Sequence, residues 1–246
     1  MGIYRALWSP PREMLVNRTD SMTKMNLSEY YADKPPGYFT EAKQQVVDLI
    51  DGNNHRILEL GCAEGHTSAL LKSLGKAREV HGVELVPEIA ERARSRLDSV
   101  ITGDLETMTF PFEAGSFDYV VATEVLEHLR DPWALLRRLA PLLQPDGCVV
   151  ASSPNMRHVR VLWNLVVRGE WRYERSGPLD RTHLRFFTKR SFARLFEESG
   201  YAVDAMRPVF LRKAARINRL LINQSEEFLA YQYFCKAHVN HPAGST

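Results

Sequence analysis

The feature that most constrains this chain is a regular exchange of short apolar runs and longer amphipathic runs between residues 56 and 153. The apolar runs have the length of strands, and the amphipathic runs repeat apolar residues at helical spacing. In chain order they read RILEL, SALLKSL, EVHGVEL, PEIAERARSRL, SVITGD, FDYVVAT, PWALLRRLAPLL and GCVVASS. Short strands that alternate with helices are typical of a parallel sheet covered on both faces. We therefore predict a doubly wound α/β domain.

Cap and breaker residues predict where several elements begin. Pro87 and Pro132 fall in first helical turns, where a proline loses no hydrogen bond. Thr40 and Thr188 are candidate N-caps, and the helix after Thr188 should end at Gly200. Two strand-like runs, YAVDAMRPVF and EFLAYQYFCKAHV, follow, with a basic helical segment between them.

The sequence predicts an N-terminal arm and one domain. Residues 1–38 have mixed polarity and contain four prolines, which favours an arm, and residues 39–246 form the domain. Within the domain, the strand–helix pattern breaks at residues 155–187, which are rich in arginine and aromatic residues. A long insertion in a compact domain is usually functional, so we expect a lid after the fifth strand.

Composition narrows the class of protein. The 246 residues carry a formal net charge of +2, which does not favour nucleic acid or an anionic membrane as a partner and suits small neutral substrates better. Cys62, Cys148 and Cys235 lie far apart in the sequence, which predicts reduced thiols. No signal-like region and no membrane-spanning run is present in the sequence, so we expect a soluble cytoplasmic protein.

Polar groups and glycines follow three successive strands. The first strand leads into a turn flanked by Gly61 and Gly65, where a ligand can approach the backbone and the next helix offers free N–H groups. Glu84 ends the second strand, where doubly wound folds place an acid for a ribose. Asp104 ends the third strand. Because no GxGxxG motif is present, these groups predict a nucleoside pocket rather than a dinucleotide site.

The stretch ATEVLEHL places acids and an imidazole at the end of the fourth strand. If a helix begins after Thr123, then Glu124, Glu127 and His128 project to one side of one turn. His183, in the insertion, can reach the same place. Two interpretations stay open: a reactive site, or an ordinary solvated helix start.

Five motifs, taken in chain order, resemble those of the class I S-adenosylmethionine-dependent methyltransferases. They are ELGCAEG, Glu84, GDLE, FDYVVATEVLEHL and LLQPDGCVVASSPN. The resemblance runs from about Tyr38 to the end. It implies a mostly parallel, seven-stranded Rossmann-like sheet whose antiparallel last strand is EFLAYQYFCKAHV. Ala63 stands where this family often has a glycine, which implies a narrowed pocket. An NAD-binding domain is a distant alternative.

The resemblance also implies the cofactor contacts. Glu59 and the following turn would hold the methionine part of S-adenosylmethionine, Glu84 the ribose, and Asp104 with the Leu105 backbone the adenine. The full predicted set is Glu59, Gly61, Cys62, Ala63, Gly65, Glu84, Leu85, Gly103, Asp104, Leu105, Thr123 and Glu124.

The ExxEH pattern resembles the metal site of small-RNA 2′-O-methyltransferases, and a similar pattern occurs in ubiquinone-pathway O-methyltransferases. One interpretation is that Glu124, Glu127, His128 and His183 bind Mg²⁺ or Mn²⁺. Another is that His183, with His128 and Glu127, acts in general acid–base catalysis. A third is that the motif only orients loops.

The expected reaction is methyl transfer to a hydroxyl of a small molecule, a sugar or glycan precursor or a secondary metabolite. YYADKPPGYF and GPLDRTHLRFFT are similar to segments of polysaccharide and secondary-metabolite enzymes. RNA 2′-O-methylation and a non-catalytic cofactor-binding domain are alternatives, although the near-neutral charge argues against nucleic acid. A homodimer is left open.

Two interpretations of the insertion also stay open. Its large aromatic residues, Trp163, Trp171 and Tyr173, are either the core of the lid or a platform for substrate. Its arginines either grip a phosphate or form a solvated face. These arginines are Arg157, Arg160, Arg168, Arg172 and Arg175.

Overall fold

Seven strands form one sheet in the computed structural model, which describes residues 40–211 and 225–240. The strands are β1 (His55–Leu60), β2 (Ala77–Glu84), β3 (Ser99–Thr102), β4 (Phe117–Thr123), β5 (Leu143–Pro154), β6 (Tyr201–Phe210) and β7 (Ala230–Val239). Their order across the sheet is β3-β2-β1-β4-β5-β7-β6. The strands β1 to β5 pair in parallel, whereas β7 is antiparallel to both β5 and β6. This confirms the predicted fold class.

Seven α-helices lie among the described residues, and their starts agree in part with the predicted caps. They are α1 (Gln44–Val47), α2 (His66–Ser73), α3 (Pro87–Ala93), α4 (Pro132–Leu139), α5 (Val159–Val166), α6 (Lys189–Glu198) and α7 (Glu226–Leu229). Pro87 and Pro132 are the first residues of their helices, as predicted. Thr188 caps α6 in a reciprocal capping box with Ser191.

Three boundaries differ from the predictions. The helix predicted from Thr40 begins at Gln44, because the Lys43 N–H is held by the Thr67 hydroxyl of α2 at 3.2 Å rather than by a local cap. Helix α3 is four residues shorter than predicted, since residues 94–97 continue as turns. The last strand begins later than predicted because the four residues before it form α7.

Helices cover both faces of the sheet, as the strand–helix pattern predicts. In β4, Val120 and Ala122 pack with α4 and α6, whereas Val121 packs with α1, α2 and α3. The three cysteines are free and buried, as expected of reduced thiols. None of the helices in residues 40–211 and 225–240 has the length and apolarity needed to cross a bilayer. The predicted arm at 1–38 and the basic segment before α7 lie outside the described residues.

Candidate active site

The turn after β1 adopts the left-handed backbone that its glycines allow. The φ angles of Gly61, Ala63 and Gly65 are +61°, +49° and +80°. A Cβ atom at Gly61 would lie 2.8 Å from Val125 Cγ2, and one at Gly65 would lie 2.2 Å from Leu97 Cδ1. Both positions therefore require glycine. Gly65 is also the N-cap of α2, so the free N–H groups of that helix border the turn.

Glu59 is a buried acid beside this turn. Its side chain is 3% exposed and accepts a hydrogen bond from the Ser68 hydroxyl at the start of α2. Burial raises the pKa of Glu59 to about 7, the Ser68 hydrogen bond partly offsets that effect, and the nearby Glu84 adds to it. A cation bound next to Glu59 would favour its charged form. Cys62, in the same turn, is buried with its Sγ atom close to Gly82 of β2.

Glu84 joins the ends of β1 and β2 through backbone hydrogen bonds. One of its carboxylate oxygens accepts from the N–H of Ala63 at 3.0 Å, and the other accepts from those of Leu85 and Val86 at 2.8 and 3.0 Å. Burial raises the pKa of Glu84 against the effect of these bonds. The oxygen that accepts from Leu85 and Val86 already uses both of its lone pairs, whereas the oxygen that accepts only from Ala63 can still accept a hydrogen bond from a ligand hydroxyl.

The segment after β3 lies beside Glu84. Gly103 N–H donates to the Glu84 carbonyl at 3.0 Å, and the Asp104 carboxylate accepts from Glu106 N–H at 2.9 Å. Asp104 is exposed and Leu105 is buried. The structure thus brings the predicted nucleoside-binding acids to one edge of the sheet, while their contact with adenine stays a prediction.

No regular helix begins directly after Thr123, so the condition under which Glu124, Glu127 and His128 would project to one side of a turn is not met. Glu124 has a left-handed φ of +55°, and its N–H donates to the Ser152 hydroxyl of β5 at 3.1 Å. The Gln232 side chain of β7 donates to the Glu124 carboxylate at 3.1 Å and to the Ser152 hydroxyl at 2.9 Å. A 3₁₀ helix follows at Leu126–His128. Glu124 is therefore held by residues of β5 and β7 and is not one of the residues whose possible ligand atoms come together.

Glu127, His128 and His183 come together as one cluster, which we call the Glu–His cluster. One possible ligand atom from each lies within 4.8 Å of the others, and the two imidazole rings meet edge to face with centroids 4.8 Å apart. Glu127 is 1% exposed, and neither carboxylate oxygen has a hydrogen-bond partner among the described residues. Burial, followed by the charge of Glu124, raises the pKa of Glu127 well above its ordinary value.

Backbone contacts hold the insertion of residues 155–187 against this cluster. The N–H groups of Leu184 and Arg185 donate to the Glu127 carbonyl at 2.8 and 2.9 Å. His183 Nδ1 lies 3.2 Å from the Pro178 carbonyl oxygen. Asn155, at the start of the insertion, donates two hydrogen bonds from its side chain to carbonyls next to β7. The insertion thus places His183 beside Glu127 and His128.

The donors of the Glu–His cluster fit a metal only in part. Two ligand atoms that share an ion at about 2.1 Å lie no more than about 4.2 Å apart, and the three atoms of the cluster lie within 4.8 Å of one another, so their spacing is close to that of a bound ion. One carboxylate and two imidazoles suit Mn²⁺ and softer ions better than Mg²⁺, which prefers oxygen. The unpartnered Glu127 carboxylate is compatible with a ligand role, but Glu124 does not belong to this set.

Three supporting residues could not be identified from the sequence. Ser68 follows Glu59 by nine positions, but a serine in the first turn of a helix is common. Ser152 and Gln232 act on Glu124 across 28 and 108 positions of the chain. A local pattern carries no signal for contacts of that range.

Comparisons with known proteins agree with this arrangement. Residues 29–206 match the model of a family described as a methyltransferase domain. A ubiquinone biosynthesis O-methyltransferase of Xanthomonas campestris is 33% identical over 141 residues, which are 55% of this chain and 57% of that protein. One of the same name from Xanthomonas axonopodis is 29% identical over 182 residues, 72% of this chain and 74% of that protein. The chain thus spans little more than half of the length of the first relative.

Solved structures show the same fold. A chain in a complex of the Haloferax volcanii Trm112 methyltransferase activator with a methyltransferase superposes with a TM-score of 0.60 at 16% identity, covering 82% of this chain and 90% of that one. An S-adenosylmethionine-dependent methyltransferase from Mesorhizobium loti superposes with a TM-score of 0.58 at 21% identity, and the match covers 79% of this chain and 95% of that one. By its family match and its fold, the chain belongs to the class I S-adenosylmethionine-dependent methyltransferases.

Proposed function

We propose that this chain transfers a methyl group from S-adenosylmethionine to a hydroxyl oxygen of a small molecule. The observation that carries the proposal is the Glu–His cluster at the end of β4, in which two imidazoles lie beside a buried, unpartnered carboxylate. An oxygen acceptor loses its proton as it attacks, so it needs a base or a metal at that place. The relatives named O-methyltransferase support this chemistry.

The cofactor would lie along the carboxyl ends of β1, β2 and β3, where ligands of open α/β sheets bind. Glu59 and the Gly61–Gly65 turn would hold the methionine part, and Glu84 the ribose. Asp104 and the Leu105 backbone would hold the adenine. S-adenosylmethionine supplies an already activated methyl group, so the protein contributes mainly by positioning the two reactants.

His183 is the residue that we assign to the acceptor proton. It is 9% exposed and lies against His128 in the part of the insertion that packs on Glu127. As a general base, His183 takes the hydroxyl proton while the acceptor oxygen bonds to the methyl carbon and the carbon–sulfur bond breaks. A metal bound by the cluster is the alternative way of lowering the pKa of the hydroxyl.

The acceptor class is part of the proposal. Sequence segments near residues 30–39 and 177–188 favour a sugar hydroxyl, whereas the names of the relatives support a phenolic hydroxyl of the ubiquinone pathway. Both are hydroxyl groups that need the same removal of a proton. We also retain as proposals the single domain of residues 39–246, a cytoplasmic location and a homodimer.

A labelled-methyl assay over an acceptor panel tests this function. The full chain should transfer methyl from S-adenosylmethionine to a catechol or to a sugar, and leave a short RNA unmodified. Glu84→Ala should weaken cofactor binding by roughly 1.5–3 kcal/mol, because it removes a charge-assisted hydrogen bond to the ribose. Glu88→Ala, which removes a carboxylate in the first turn of α3, is the matched control.

The outcomes of this assay are distinct. Transfer to a hydroxyl compound that depends on Glu84 and not on Glu88 supports the proposal. Methylation of the RNA alone, at the 2′-oxygen, would contradict the small-molecule assignment. Cofactor binding without transfer to any acceptor of the panel would favour a non-catalytic domain.

A further inference from the structure

Most of the exposed large hydrophobic side chains among the described residues lie in the insertion, between residues 159 and 186. We call this surface the apolar insertion face. Its most prominent members are Val166, Val167 and Trp163, which are 77%, 58% and 57% exposed. Trp171 and Tyr173 also belong to the apolar insertion face and are 40% and 50% exposed. The aromatic residues are therefore not the core of a lid.

The geometry of α5 shows that this exposure belongs to a whole helix side. Val159, Trp163 and Val166 follow one another at spacings of four and three residues, so they share one side of the helix. Val161, on another side, is 5% exposed and packs inward. A surface helix normally turns its apolar side to the core. An apolar side left in solvent marks an interaction surface.

Unpaired positive charge borders the apolar insertion face. Residues 155–187 contain seven arginines and three acids, although the chain as a whole has a net charge of only +2. Arg157 and Arg160 each pair with a glutamate. Arg168 and Arg172 are exposed between Val167 and Tyr173 and have no ion pair within the described part of the chain. The exposed Glu170 lies between them, so residues 168–172 carry a net charge of +1. The near-neutral total thus conceals a local excess of positive charge.

We propose that the apolar insertion face docks on the surface of an anionic phospholipid membrane. Val166 and Val167 would enter the boundary of the acyl region, Trp163 would lie at headgroup depth, and Arg168 and Arg172 would meet lipid phosphates. Tryptophan at the interface, aliphatic residues at the tip and flanking arginines are the features that give peripheral membrane binding.

Charge distinguishes this occupant from a second copy of the chain. A two-fold dimer through the apolar insertion face would bring together two insertions that each have seven arginines and only three acids, so their net positive charges would repel one another. A surface of lipid phosphates complements these charges instead. The docked side belongs to the segment that also carries His183 and donates to Glu127, so membrane binding and the Glu–His cluster share one element.

Vesicle flotation with the full chain tests the proposal without any methyl transfer, so its result does not depend on the proposed function. The protein should bind vesicles of phosphatidylcholine mixed with phosphatidylglycerol, and binding should weaken with added salt. Val166→Ser with Val167→Ser should lower the partition coefficient roughly tenfold or more. Arg168→Gln with Arg172→Gln should lower it roughly 30-fold.

Leu74→Ser is the matched control, because Leu74 is 50% exposed in the turn after α2, outside the insertion. It should leave vesicle binding unchanged. Equal binding to neutral and anionic vesicles, or no loss in the two insertion variants, would overturn the proposal. So would a lipid-free dimer that Val166→Ser converts to a monomer, since a second copy would then cover the face.

Discussion

At the scale of single residues, Glu59 should couple cofactor binding to pH. Its burial raises its pKa to about 7, and the positive charges of S-adenosylmethionine favour the ionised carboxylate. Below that pKa a proton must leave before the cofactor binds. We therefore expect the affinity to fall by up to about tenfold per pH unit below about pH 7, as measured by calorimetry from about pH 5.5 to 7.5.

Two variants isolate this effect. Glu59→Gln should bind the cofactor more weakly but with a flat dependence over the same pH range. Ser68→Ala removes a hydrogen bond that lowers the pKa of Glu59, so the loss of affinity should begin at a higher pH. Ser73→Ala, at the exposed end of α2, serves as the control. An unchanged slope in Glu59→Gln would show that another group titrates.

His183 carries the second residue-scale prediction, which concerns proton removal from the acceptor. The cluster offers only one carboxylate and two imidazoles, whereas Mg²⁺ and other hard ions prefer more oxygen ligands, so we expect a general base rather than a metal. Turnover should survive EDTA. His183→Ala should cost roughly 10²–10⁴-fold in rate with cofactor binding intact. The measurements are steady-state kinetics and calorimetry on the same preparations.

His238→Ala is the control for this variant, because His238 lies on β7 and is bonded to Asp204 of β6 rather than to the cluster. Loss of turnover in EDTA that Mn²⁺ restores would contradict the general-base role and assign a metal to the Glu–His cluster. Full activity of His183→Ala without any response to EDTA would leave the cluster with a structural role only.

At the scale of elements, the sequence is most informative where a local rule determines the residue at which a helix begins. Proline at a first helical turn and the threonine cap of α6 are local, and both predictions are confirmed. The start of α1 and the turn at Glu124 depend on hydroxyl oxygens of other elements. Those of Thr67 and Ser152 accept hydrogen bonds from the backbone N–H groups of Lys43 and Glu124. Such contacts form only in the folded chain, so helical spacing alone could not establish the backbone conformation after Thr123.

The insertion carries the element-scale prediction, that residues 155–187 act as a lid over the acceptor. Its backbone contacts with Glu127 are few, while its segment around residues 165–173 is exposed throughout. Binding S-adenosylhomocysteine and acceptor together should therefore slow amide hydrogen exchange in the insertion. Strand β1, buried in the sheet, is the internal control. Equal exchange in the free and ternary states would argue against a lid.

At the scale of the whole molecule, topology explains why spaced motifs could predict a site. Parallel strands β1 to β4 end at the same edge, so Glu59, Glu84 and Asp104 meet there although the chain separates them widely. The outward apolar insertion face was not predicted, because hydrophobic spacing does not distinguish a buried side from an exposed one. The net charge of the whole chain did not reveal the positive charge of the insertion either, because it averages the insertion with the rest of the chain.

The cofactor should stabilise this assembled edge as a unit. S-adenosylhomocysteine binds the folded sheet and not the unfolded chain, so about 100 times its Kd should add about 2.7 kcal/mol to the free energy of unfolding. For a domain of this size that corresponds to a rise of roughly 5–10 °C in Tm, measured by calorimetric melting. Glu84→Ala at the same ligand concentration should lose about half of the rise or more, and Glu88→Ala should keep it. A folded wild-type protein whose Tm does not respond would contradict the nucleoside site at the ends of β1, β2 and β3.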